Sequence, residues 1–149
     1  MVKIEIDQSG KIEQLDTHTV IAGSNGEQRA IFISAGEKRK IIQRLRKSLI
    51  PSKDLLPILF SVLIFLLLKK FGRLPTVIII DEEYTGKDKI ISESLKKLLS
   101  HKKKEQKMEI KFGLIGKSSP AHSLAWSIHR RKRSLGIRIS SEEILNLIK

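Results

Sequence analysis

The sequence contains no cysteine. That absence excludes a disulfide scaffold, a thiol nucleophile, thiolate zinc fingers and cysteine-ligated iron–sulfur clusters. It fits a chain working inside the cell, and a cytoplasmic location is the expectation. Aromatic residues are only 5% of the 149, too few for a platform on which successive bases stack. The one tryptophan, Trp126, therefore reads as core or helix packing. Asparagine occurs only at Asn25 and Asn146, while isoleucine, lysine and glutamate abound, a bias reminiscent of thermophile proteins. Met1-Val2-Lys3-Ile4 goes straight into a strand pattern, so no signal peptide is expected.

Long hydrophobic runs are missing too. The most apolar stretch, LLPILFSVLIFLLL, opens at Leu55 and closes at Leu68, and its 14 residues fall short of the roughly 20 that cross a bilayer. Lys53 and Asp54 bound it on one side, Lys69 and Lys70 on the other. Pro57 reads as part of a first helical turn, where proline is tolerated. A helix apolar on every side is a buried one. It packs either inside this chain or between two copies in a homodimer. An interfacial membrane helix would be one-sided, and this one is not.

Acidic residues are scarce relative to basic ones: 16 Asp and Glu stand against 29 Lys and Arg, a formal net charge of +13. Such a charge attracts polyanions, nucleic acid first and an anionic membrane surface second. The length suits one domain over residues 1–149, and 40% apolar residues argue against disorder. The basic groups lie at 38–47, 102–107 and 129–138. Lys102, Lys103, Arg130, Arg131, Lys132 and Arg133 are the expected nucleic-acid contacts, made to phosphates and selective for shape rather than sequence.

Hydrophobic period sorts the chain into elements. Val2, Ile4 and Ile6 alternate with charged residues, which is strand period, and Asp7-Gln8-Ser9-Gly10 reads as a turn. A second strand is expected across 11–23 and a third at 29–34 (RAIFIS), joined by the Asn25-Gly26 hairpin signal. From Ala35 the period becomes helical. Ile41, Ile42, Leu45 and Leu49 form one face, with Lys38, Arg39, Lys40, Arg44, Arg46 and Lys47 on the remaining surface. Ser34 and Glu37 have capping-box spacing. The apolar helix is expected from Asp54, closed by Gly72. VIIID at 77–81 and the stretch 108–116 read as strands buried on both faces. Helices are expected at 87–104, 120–132 and 140–148. The fold class is α/β: a mixed β-sheet with a three-stranded antiparallel meander, then βαβ units, with helices on both faces.

That order resembles the ribonuclease H-like superfamily of ribonucleases H, Holliday-junction resolvases and transposase cores. Asp7 stands at the end of the first strand. Asp81 closes VIIID. Ala121-His122-Ser123-Leu124-Ala125 is similar to the family's Ala-Asp-x-Leu-Ala, with His122 at the ligand position. Glu37 is the acid on the helix after the third strand. The resemblance implies that Asp7, Glu37, Asp81 and His122 are catalytic residues holding two Mg²⁺ (or Mn²⁺) ions in a nuclease that cuts a junction or an RNA–DNA hybrid. Two such cations can activate a water and stabilise the leaving oxygen of a phosphodiester. Carboxylates converging at the end of a rigid sheet are the donors Mg²⁺ prefers.

Each residue also has a plainer role. Asp7 suits the first position of a β-turn, Asp81 a helix cap, Glu37 a capping glutamate and His122 a helix-start histidine. Glu82 and Glu83 beside Asp81 thicken the acidic cluster. His129 follows on the same helix face as His122, but two histidines make no zinc site. Gly113-Leu114-Ile115-Gly116-Lys117-Ser118 nearly matches a phosphate loop but lacks its first glycine. Lys117 and Ser118 remain candidates for holding a backbone phosphate at a helix start. A non-catalytic basic nucleic-acid-binding domain with a degenerate site is the alternative to the nuclease.

Overall fold

The computed structural model describes residues 3–72, 75–100, 108–113, 115, 119–130 and 136–148. Strands β1 (Lys3–Ser9), β2 (Thr19–Ser24) and β3 (Gln28–Ile33) pair as an antiparallel meander. β4 (Val77–Asp81) joins β1 in parallel, β5 (Glu109–Gly113) joins β4, and β6 (Gly136–Arg138) joins β3. The product is a six-stranded mixed sheet in the order β5-β4-β1-β2-β3-β6. The five helices among the described residues are α1 (Ala35–Arg46), α2 (Ser52–Leu68), α3 (Asp88–Ser100), α4 (Pro120–His129) and α5 (Ser141–Ile148). The α/β class, the meander and the helices on both faces agree with the sequence reading.

The pleat sends successive side chains to opposite faces, and that alternation decides what each face becomes. Ile4, Ile6, Ile78 and Ile80, all fully buried, point into a large core centred on α2, around which α1, α3 and α5 pack. Glu5, Asp7 and Asp81 alternate to the opposite face. There α4 crosses β1, β2 and β3, with Leu124, Ala125 and Ile128 seated on Val20, Ala22 and Ala30. The small side chains of Ala22 and Ala30 let that helix lie close to the sheet.

Twelve of the 17 residues of α2 are buried, each large apolar side chain contributing about 1.5–3 kcal/mol. Gly23 admits the helix: a Cβ there would meet Leu67 Cδ2 and the Phe71 ring at 3.2 Å. Twelve of the 14 residues from Leu55 to Leu68 are therefore buried in this chain's own core, with Leu56 and Ile58 partly exposed. Among the described residues no helix is long and apolar enough to cross a membrane.

Several boundaries differ from the sequence reading. Asp7 does not open a β-turn, because β1 runs on through Ser9, paired as Asp7 with Ala22 and Ser9 with Val20. The chain reverses at Gly10, whose φ of 81° suits glycine alone. β2 begins only at Thr19 because the preceding loop wraps the ammonium of Lys38. That lysine is fully buried rather than on the basic surface. Its Nζ donates to the carbonyls of Lys11 (3.2 Å) and Gln14 (2.6 Å) and to Thr19 Oγ1 (3.0 Å). α2 starts at Ser52, which leaves Pro57 inside the helix rather than in its first turn. The carbonyl this proline leaves without its usual donor is that of exposed Lys53.

Gly72 is not the cap of α2, since Lys69 ends it in right-handed geometry. Leu49 is wholly exposed, because α1 stops at Arg46. β5 is an edge strand with Glu109 and Lys111 exposed, not a strand buried on both faces. β6, only three residues long, is too short for periodicity to register. Trp126 is 43% exposed on α4, not core.

Candidate metal centre

Parallel pairing of β1 with β4 matches Ile6 to Ile80. The next residues, Asp7 and Asp81, therefore stand level on adjacent strands about 5 Å apart, pointing to the same face. Beyond Asp81 the chain stays alongside β5, with the Glu82 N–H donating to the Gly113 carbonyl at 3.1 Å. This extended step keeps the alternation going. Glu82 turns to solvent, and Glu83 returns toward Asp81. Asp7, Asp81 and Glu83 each present an oxygen, and the three lie within 4.8 Å of one another.

The two aspartates are each anchored by a backbone N–H. Asp7, 4% exposed, accepts the Gln8 N–H on Oδ1 at 2.8 Å and meets His122 Nδ1 with Oδ2 at 2.8 Å. Asp81 Oδ1 accepts the Ile115 N–H at 2.8 Å. His122 is the third residue of α4 and is positioned by that helix's start. There Ser119 caps the helix by accepting the Ala121 N–H, and its hydroxyl donates to Glu5 Oε1 at 2.8 Å. Glu5 lies two residues before Asp7 on the same face of β1. It thus ties the helix carrying the histidine to the strand carrying the aspartate.

The electrostatics are those of crowded anions. Burial holds the Asp7 carboxyl above its usual range and the charge of Asp81 adds to the rise, while the Gln8 and His122 hydrogen bonds oppose it. Glu83 is pushed up to about 7, first by burial, then by the negative charges of Asp81 and Asp7. Among the described residues, neither Asp81 nor Glu83 has a lysine or arginine within ion-pair distance. Lys11 offsets only part of the rise at Glu83, and three hard oxygens this close can hold a divalent cation, which would lower the remaining repulsion.

The remaining expected site residues fall elsewhere. Glu37 is outside the acidic group: Ser34 Oγ accepts its backbone N–H, and its Oε2 accepts the Ser141 N–H at 3.3 Å, tying α1 to the start of α5. The Ser141 hydrogen bonds hold its carboxyl below the usual range. His129 stacks on His18 with ring centroids 4.5 Å apart and does not join the group. Arg130 is exposed at the end of α4, its guanidinium 5.4 Å from the Trp126 ring centroid. Lys102, Lys103, Lys117, Ser118, Arg131, Lys132 and Arg133 lie outside the described residues.

Glu83 is the member the sequence argument did not single out as a ligand. Its signal was the spacing: two residues past Asp81, it shares that residue's face if the strand continues. Glu5 carried no signal, since its partner Ser119 is 114 residues away. No protein-family model matches the chain, and no curated protein matches it in sequence.

Proposed function

We propose that the chain is a single ribonuclease H-like domain acting as a metal-dependent endonuclease on a structured nucleic acid, a junction or an RNA–DNA hybrid. The observation that carries this reading is the level placement of Asp7 and Asp81 on adjacent parallel strands, with Glu83 beside them and His122 on Asp7. Asp7, Asp81 and Glu83 would hold Mg²⁺ or Mn²⁺. A bound pair of such ions supplies the activation of water and the stabilisation of the leaving oxygen. Asp7 accepts from His122 Nδ1 and so orients the imidazole, leaving Nε2 as the atom that can ligate or carry a proton. The net charge of +13 draws the substrate in and contacts its phosphates.

A second reading, a non-catalytic nucleic-acid-binding domain, draws on Glu37. That acid is engaged by Ser141, which leaves the ligand set one carboxylate smaller than the resemblance implies. Cleavage of a labelled four-way junction, an RNA–DNA hybrid and a plain duplex, with and without Mg²⁺ or Mn²⁺, separates the two. The nuclease cuts only with metal and loses cutting but not binding in Asp7→Asn. Tight binding with no cutting under either metal would favour the binding domain.

A further inference from the structure

One face of α4 carries a stripe that leads away from the acidic centre. His122, in contact with Asp7, begins it; Trp126 and Arg130 follow at intervals of four residues. Each interval advances about 6 Å along the helix, so the stripe reaches roughly 12 Å from the histidine. Among the described residues, Trp126 is one of the few large apolar side chains left exposed, at 43%. The inner face of the same helix packs Leu124, Ala125 and Ile128 against the sheet, which leaves Trp126 on the outer face. Arg130 lies over the indole ring, a cation–π pairing that holds the ring and places a guanidinium one turn beyond it.

An indole flanked by a guanidinium, on a strongly basic chain and next to carboxylates suited to a phosphodiester-cleaving metal, matches one chemistry. An unpaired base stacks on the aromatic face, and the phosphate beside it meets the arginine. We infer that Trp126 and Arg130 form a binding subsite for an unpaired nucleotide of the substrate strand, one to two helical turns from the cleavage centre. The inference rests on the nuclease reading and narrows its substrate. Strands splayed at a junction or at a duplex end are preferred over uninterrupted duplex, whose bases are not free to stack.

Trp126 is the only tryptophan, so intrinsic fluorescence reports on this subsite alone. The test titrates a four-way junction, a duplex with a single-stranded tail and a blunt duplex into the full chain with Ca²⁺, while anisotropy of the labelled nucleic acid reports binding independently. Stacking predicts quenching by the junction and the tailed duplex that tracks anisotropy, and little quenching by the blunt duplex. Trp126→Ala should weaken binding of the first two by roughly 5- to 150-fold. Trp126→Phe should retain most of the affinity, and blunt-duplex binding should change little.

Anisotropy showing saturated binding with unchanged fluorescence, or Trp126→Ala binding the tailed duplex as well as wild type, would overturn the subsite. Metal-dependent cleavage by wild type would leave the nuclease reading standing in that case. A chain that binds none of the three probes overturns both.

Discussion

At the scale of single residues, two ionisable groups matter most, Lys38 fully buried and Glu83 half-buried. Lys38 is fully buried with three oxygen acceptors, although burial lowers its pKa to about 8. Its periodicity and neighbours place it on a solvated basic face, because nothing local encodes the loop that folds over it. Replacing it by methionine would strand those acceptors, so Lys38→Met should cost about 2 kcal/mol in urea unfolding. Glu83 gives a pH prediction. Its folded pKa of about 7 lies above its ordinary value of 4.5. The stability this confers is therefore full below pH 4.5 and is lost as pH rises through 7. A divalent cation opposes that loss, since it binds the ionised form. Saturating Mn²⁺ should accordingly raise Tm by several degrees at pH 8 and by much less at pH 5, read by differential scanning calorimetry. An equal shift at both pH values would place the metal elsewhere.

At the scale of elements, the site depends on how β1 ends and how α4 begins. The alternation of Val2, Ile4 and Ile6 made β1 legible, as VIIID made β4. From these the level pairing of Asp7 and Asp81 follows once the strands are neighbours. The strand's continuation through Ser9 was not legible. Asp-Gln-Ser-Gly favours a turn locally, and only the partners Ile21 and Val20 on β2 override it. Gly10 then makes the reversal in a space no side chain can enter. A Cβ there would collide with the His18 carbonyl and lie 2.6 Å from His129 Cε1. Gly10→Ala should lower stability by about 2 kcal/mol or more, seen as an earlier unfolding midpoint at unchanged slope. The Ser119 cap of α4 is held to β1 by Glu5, a bond between residues that sequence spacing cannot pair. β6 and the exposed character of β5 escaped for a related reason: edge position is a property of the sheet.

At the scale of the whole molecule, the apolar stretch and the basic surplus have different destinations. α2 disappears into the core beneath the sheet, while exposed lysines and arginines remain on α1, α3 and α4's end. Binding to a four-way junction should weaken steeply with salt, with a slope of log K against log salt of roughly −4.5 if about five phosphates are contacted. A flat dependence would remove nucleic acid as the partner. The resemblance drawn from element order and short motifs reached Asp7, Asp81 and His122, which the fold brings together. It also reached Glu37, which the fold holds at α5, and Glu83 stands beside the aspartates instead. The most direct test of the acidic centre compares metal-dependent junction cleavage by Glu83→Gln and Glu37→Gln. The account predicts that Glu83→Gln loses at least about a hundredfold in rate, some 2.7 kcal/mol of transition-state stabilisation, while Glu37→Gln cuts within a few-fold of wild type. Loss of cleavage in Glu37→Gln with Glu83→Gln still active would contradict it.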